Sequence, residues 1–556
     1  MRMAAGCGST IEGFDMSYMN VYRWHPDAEA RDLASTADPW RPLSAPFDAC
    51  TLDFQSRLEA QGAERAGDPE SIWELDVEKE VEITAPGIWN AVVYWFELDL
   101  DDHTRLVSYP DEARAGTSGA RPFAATSYKQ AVQYLDELPA TLGATLKLRI
   151  RQDNAQIIFS SSPPPTRPRQ AYLPRWQLDA LHDDQRTQAY ATAVRRAVAS
   201  KRADGVQEIM ALDIGCGAAL QSMLAARAGA HKVVGIEQSM HLCEVGEECA
   251  VMNGLLQQCT LLNRDSRRVL STDSPGVKKG RKPDGNVCEL DRQADILIYQ
   301  IFDSGLLGEG CLHHISMAKM RLLKEDAQIL PLGATVFAQP IQMRIAEVQG
   351  FDLQSVNRYR WRSGYEGIEL GECREQWKAL AEPLEVFSFE FGDVEANVAP
   401  LAHAVEFDIT QDGIFNAIAF WFELQIDEET TLSTSPYGKK GPTWTQAVQY
   451  FEELQVARNS ALPVTAKHDT YSISFEVDDS QVDRLASRTG VPLYDPVWHA
   501  TYQRLEQFNS SLIRSTVQNP LEYRSCAETS VAIGARPRDL DLDVQPATDF
   551  CMRMMG

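Results

Sequence analysis

No run of eighteen apolar residues occurs in this 556-residue chain, and its start, MRMAAGCGSTIEGF, has no seven-residue apolar core. These lengths exclude a membrane-spanning helix and a signal peptide. A soluble, intracellular protein of the cytoplasm and the nucleus is the expectation. The eleven cysteines include no CxxC pair and no regular spacing, which argues against a disulfide framework and a metal centre and suits a reducing compartment. Basic residues are scarce, 53 Lys and Arg against 79 Asp and Glu, for a net charge of −26. That balance disfavours direct nucleic-acid binding and favours a basic partner, although acidity also serves solubility alone. With 44% apolar and 24% charged residues the chain is globular, and its length suggests about three or four domains.

What the chain does have is a repeat. GIWNAVVYWFELDLDD at 87–102 returns as GIFNAIAFWFELQIDE at 413–428, identical at nine of sixteen positions. GFDMSYMNVYRW at 13–24 returns as GFDLQSVNRYRW at 350–361, and QAVQY at 130–134 recurs at 446–450. A whole domain is therefore duplicated. Its apolar or alternating strand runs and its turn chemistry, LSTSPYGKKGP for example, predict a β-barrel or sandwich. The proline run in FSSSPPPTRPRQ at 159–170 predicts a linker, since proline fits neither a helix interior nor a central strand.

After that linker the pattern alternates: LDALHDDQRTQAYATAVRRAVAS as a helix, QEIMALDIG as a strand, AALQSMLAARAGA as a helix, HKVVGIE as a strand. This is the βαβ pattern of the doubly wound class. The polar insertion STDSPGVKKGRKPDGN at 271–286 reads as a mobile surface loop whose Lys278, Lys279, Arg281 and Lys282 are solvated. A further helix is expected in DPVWHATYQRLEQFNSSLIRS, within a C-terminal extension.

In ALDIGCGAALQS, Gly215 and Gly217 fall between strand and helix, where a tight turn lets the backbone approach a ligand. A dinucleotide fingerprint wants a third glycine at 220, which is Leu220, so the NAD reading fails. Asp213, two residues before the first glycine, and Glu237 at the end of the next strand fit instead an adenosyl cofactor whose ribose hydroxyls bond an acidic side chain.

On these residues the chain resembles the protein arginine methyltransferases, most closely the branch with two modules in tandem. RWQLDALHDDQRTQAY at 175–190 is similar to the helix preceding that family's glycine loop, ALDIGCGAAL to its cofactor loop, and VVGIEQS to its ribose strand. YQIFDSGLLGEG at 299–310 is similar to its double-Glu loop, GFDL to its barrel entry, and LSTSPY with TWTQAVQY to the barrel segment that reaches back to the active site. The resemblance covers residues 13–478. It implies an α/β plus β fold: a Rossmann-like S-adenosylmethionine-binding domain over 166–345 followed by a β-barrel substrate domain over 346–478, preceded by a second copy of the barrel over 1–165, with an extension over 479–556. The first barrel would be the orphan of an earlier module, either because a first cofactor domain was lost or because the chain is a piece of a longer product. It is expected to dock on the second module as a pseudo-dimer within the chain, with a homodimer as the other arrangement.

The resemblance also implies an activity, methyl transfer from S-adenosylmethionine to arginine guanidinium nitrogens of basic or glycine–arginine-rich proteins. Arg186 would pair with the cofactor's carboxylate, Glu237 with its ribose, and Ser266 would lie beside the adenine, joined by Asp213, Gly215 and Gly217 of the loop. Two carboxylates normally clamp the guanidinium. The second falls on Glu309, while the first position holds Gln300, an amide without charge, with Asp303 nearby as partial compensation. The loop ends in Ala218-Ala219, and the barrel's Thr-His-Trp stands here as Pro442-Thr443-Trp444, without the histidine. A pseudoenzyme that scaffolds a partner is the alternative reading.

Overall fold

The computed structural model describes residues 10–22, 28–31, 33, 40–53, 75–108, 121–124, 128–152, 156–161, 173, 175–282, 286–360, 364–393, 397, 399–438 and 444–477, all within the unit Met1–Arg484. The helix expected after residue 494 and the Pro442-Thr443 pair lie outside the described residues.

Five strands, the central ones rich in aliphatic residues, form a parallel sheet in the order Cys259–Asn263, Lys232–Glu237, Met210–Ile214, Ala294–Tyr299, Leu323–Leu330. Apolar runs without polar alternation suit strands covered on both faces, and every residue of Met210–Ile214 and Ala294–Tyr299 is buried. Five helices accompany the sheet: α1 Arg175–Leu181, α2 Asp184–Ala203, α3 Leu220–Ala228, α4 Met240–Met252 and α5 Cys311–Arg321. The one helix expected over 178–200 is broken at His182-Asp183. There the Asp183 carboxylate accepts the Arg186 N–H at 2.9 Å, capping the start of α2 and ending α1. Chain order and strand order part company between Met210–Ile214 and Ala294–Tyr299, so a crevice opens beyond their carboxyl ends.

The C-terminal barrel is built on Gly413–Gln425, which pairs with Gly333–Gln342 on one side and Gln446–Val456 on the other. Gly333–Gln342 thus lies in the barrel's sheet, ahead of the boundary expected at 345/346. With both edges paired, Phe415 through Phe422 are all buried. A second antiparallel sheet joins Leu401–Asp408, Ala461–His468 and Ile473–Val477.

The N-terminal region repeats these bonds at matching positions. Gln130 accepts from Leu33 N–H at 3.0 Å and donates to Ser108 O at 2.8 Å, as Gln446 accepts from Leu370 N–H and donates to Thr434 O, both at 2.8 Å. Gln133 bonds both backbone groups of Phe159, as Gln449 bonds both of Phe475. Each amide is satisfied in the same way in both copies.

Two expected irregular segments are partly ordered. Phe159–Ser161 end the strand Ile157–Ser161 rather than begin a linker, and the rest of that proline-rich stretch lies outside the described residues. The insertion after Leu270 is anchored, because Ser271 and Ser274 are buried and donate to Arg321 O at 3.0 and 2.6 Å. Its Lys282 pairs with Glu289. Among the described residues, no helix is long and apolar enough to cross a membrane.

Candidate active site

Three chain segments meet at the crevice: the glycine loop after Met210–Ile214, the end of Lys232–Glu237, and the loop 300–310 after Ala294–Tyr299. Gly215 has φ of 73°, and a Cβ there would collide with the Ile301 side chain. Both facts require glycine. Gly217 is also left-handed at φ 52°, and its N–H donates to Glu237 Oε2 at 3.0 Å. Glu237 Oε1 accepts the Ser239 N–H at 2.7 Å, so one carboxylate ties the loop to the start of α4. Burial raises its pKa against the pull of those N–H groups. A carboxylate offers about four lone-pair positions, so capacity remains beside those N–H groups for a ligand hydroxyl.

Asp213, expected among the ligands, is buried beneath the loop. Its Oδ2 accepts the Ser222 hydroxyl at 2.6 Å, and burial pushes its pKa up to about 7. It holds α3 under the loop. The turn ends on Ala219, left-handed at φ 63°, a conformation that costs a residue with a Cβ more than it would cost glycine.

Arg186 lies one helical turn before Tyr190, whose hydroxyl donates to Tyr299 O at 2.9 Å and sets α2 against the strand leading into Gln300. The Arg186 guanidinium sits over the Trp444 ring at 5.1 Å, donates to Ala180 O, and is 3.9 Å from Asp183. Its side chain is only 12% exposed, and burial pulls its pKa down. A buried cation with a single distant counter-ion, and with more donors than those contacts use, suits a carboxylate ligand. Ser266 meets His314 Nδ1 at 3.0 Å. Burial first, then the Arg267 charge, lower the His314 pKa to about 4, so the ring is neutral at pH 7.

In the loop 300–310, Phe302 packs on Phe391 and Trp444, each at 5.9 Å between centroids, fastening the loop to the barrel. Asp303 is held at both oxygens: Oδ1 accepts the Gly308 N–H at 2.9 Å and Oδ2 accepts the Tyr365 hydroxyl at 2.5 Å. These bonds make it a residue that shapes the loop. Gly305 and Gly308 are glycines because a Cβ would strike Tyr365 or Asp303. Glu309 is an exposed residue whose carboxyl is nevertheless partly desolvated by its surroundings. That surrounding and the Asp303 charge raise its pKa, and no described cation pairs with it. Gln300 has a buried Nε2 without a hydrogen-bond partner.

The structure therefore gathers Gly215, Gly217 and Glu237 on one side of the crevice and places Gln300, Asp303 and Glu309 on the loop beside it, with Arg186 linked to that loop through Trp444 and Phe302. Sequence reasoning missed Tyr365 and His314, which act through residues 62 and 48 positions away. No local pattern marks such contacts. Ser222 follows Asp213 by nine positions, a spacing that the βα turn makes readable.

Residues 327–481 match the family model of the arginine methyltransferase oligomerization subdomain. The chain is 26% identical over 396 residues to protein arginine N-methyltransferase 7 of Drosophila ananassae, covering 63% of this chain and 54% of that protein. It is 27% identical over 407 residues to the Anopheles gambiae protein of the same name, covering 64% and 56%. The chain spans about half the length of these curated relatives. Among solved structures, a Trypanosoma brucei PRMT1 enzyme–prozyme heterotetrameric complex with AdoHcy is similar at TM-score 0.43 and 22% identity, over 54% of this chain and 92% of that one. The family model and the curated relatives bear out the resemblance read from the sequence, and with it the fold class.

Proposed function

We propose that this chain, a relative of the protein arginine methyltransferases, binds S-adenosylmethionine in the crevice and transfers methyl to arginine guanidinium nitrogens of basic, glycine–arginine-rich proteins. The observation that carries this reading is Glu309, a partly desolvated carboxylate without a cationic partner among the described residues, on a loop whose Ile301 packs against the glycine loop and whose Phe302 packs on the Trp444 that stacks with the buried Arg186. When bound, the cofactor supplies an electrophilic methyl. The Gly215–Gly217 backbone, Glu237 and Arg186 would hold its body, ribose and carboxylate.

Glu309 would accept two guanidinium N–H groups and fix the arginine side chain, and such positioning contributes a large part of the rate. Gln300 can present its amide oxygen to a third N–H after a flip, without charge. In the same reading, residues 1–165 are the barrel of an earlier module docked on the module 166–478. The buried free thiols Cys216, Cys243, Cys249, Cys259 and Cys311 suit a reducing cytoplasm or nucleus.

Titration calorimetry with S-adenosylhomocysteine, paired with methyl transfer to a glycine–arginine peptide, tests this. Glu309→Gln is expected to lower transfer about 100-fold, on the order of 2.7 kcal/mol, with cofactor affinity unchanged. Equal transfer by the variant would sink the assignment. The uncharged Gln300 favours one second reading, a cofactor-binding scaffold. Binding without detectable transfer by the native chain would establish it.

A further inference from the structure

The insertion after Leu270 carries none of the candidate site residues, and the structure gives it a defined shape. Lys278 N–H donates to Arg281 O at 3.0 Å and Arg281 N–H to Lys278 O at 3.1 Å, closing a two-residue turn over Lys279 and Gly280. Both turn residues are left-handed, at φ 53° and 69°, the geometry whose twist suits a hairpin. Glycine is at home there. A lysine in the first turn position is unusual, because a Cβ makes left-handed backbone costly and asparagine, aspartate or glycine normally stands there. The base of the insertion is fixed as well: Ser271 and Ser274, 0% and 3% exposed, donate to Arg321 O, and Thr272 donates to Asp291 O at 2.5 Å.

This ordered hairpin displays charge of the sign the chain has least of. From Arg264 to Lys282 the sequence holds seven basic residues and two acidic ones, in a chain whose net charge is −26. Two of the seven have carboxylate partners: Arg267 meets Asp265 at 2.6 Å, and Lys282 meets Glu289. Lys278 and Lys279 are exposed, and no described carboxylate pairs with either. Arg268 is exposed beside them, its carbonyl accepting from Lys282 at 3.3 Å.

We propose that this hairpin docks a short acidic peptide segment of a partner protein, whose successive carboxylates are received by Lys278 and Lys279 with Arg268 beside them. Sign and size select that ligand. The glycine–arginine-rich substrate proposed above carries the same sign as the hairpin and is repelled by it. A nucleic acid has the right sign, but a long polyanion must also lie along a surface whose overall charge of −26 opposes it. A short acidic segment meets the lysines without that cost. The closed turn holds both lysines on ordered backbone, so docking has little backbone freedom left to remove. The inference is independent of methyl transfer, because its readout is binding at the hairpin.

Fluorescence anisotropy of a labelled oligoglutamate peptide, titrated with the full chain, tests the proposal. The native chain is expected to bind the peptide at low ionic strength and to lose affinity as salt rises. Lys278→Glu/Lys279→Glu should weaken binding about tenfold or more. Lys147→Glu/Arg149→Glu changes the net charge equally on the exposed strand Thr145–Gln152 and should leave the affinity within about twofold, because a peptide drawn by net charge alone would not distinguish the two variants. Three results would overturn the proposal: no binding of the peptide by the native chain at low salt, a hairpin variant that binds no more weakly than the strand variant, or an oligothymidylate that the native chain binds at least as tightly as the peptide, which would make the hairpin a nucleic-acid contact. If Lys279→Glu disturbs the turn, Lys278→Ser/Lys279→Gly removes both charges while suiting the left-handed backbone, and is judged by the same three results.

Discussion

GIWNAVVYWF and GIFNAIAFWF are nearly the same strand in two environments. The C-terminal copy is flanked on both edges and wholly buried from Phe415 to Phe422. The N-terminal copy, Gly87–Tyr94, pairs with Gln130–Ala140 alone among the described residues and is mostly half-buried. Phe422 is 1% exposed and Phe96, its counterpart, 38%. The difference arises from the neighbour Gly333–Gln342, which comes from the segment joining the cofactor domain to its barrel. Burial here depends on what the chain places alongside, and a repeat in sequence is no promise of a repeat in energetics.

Paired substitutions break or sharpen that contrast. The largest effect is expected for Phe422→Ala, about 3–5 kcal/mol by chemical unfolding, with Phe96→Ala costing about 1 kcal/mol. Equal costs would show that the N-terminal strand is covered in solution. Gln449→Leu and Gln133→Leu each orphan both backbone groups of one phenylalanine and should cost about 1–3 kcal/mol apiece. Here near-equality is the expectation, because the two networks match bond for bond, and a gap above about 1 kcal/mol would separate the copies even in their shared polar core. The smallest effect concerns chemistry that only the C-terminal module carries. Gln300→Glu adds a charge aimed at the guanidinium and should raise peptide methylation about tenfold, near 1.4 kcal/mol, while Phe96→Ala leaves the rate alone. No gain from Gln300→Glu, with cofactor still bound, would move the defect elsewhere in the site.

The parallel sheet, the glycine loop and Glu237 were legible because local period and spacing specify them. That Gly333–Gln342, ahead of the boundary expected at 345/346, pairs with Gly413–Gln425 was not legible, because only its partners decide which sheet such a strand joins. Asp213 was read as a ligand from its place in a motif, and its role turned on Ser222 and on burial. The Asp183 break was hidden inside a continuous helical pattern, where a cap and a surface aspartate look alike.

The hydrogen bond from Tyr365 to Asp303 has a further consequence. Asp303 also accepts the Gly308 amide, so a barrel residue, a loop carboxylate and a loop N–H form one chain of bonds next to Glu309. Opening the loop enough to exchange the Gly308 proton disturbs the carboxylate that Tyr365 holds. The exchange rate of that single amide therefore gauges how firmly the barrel grips the loop, and Tyr365→Phe should quicken it before global stability changes.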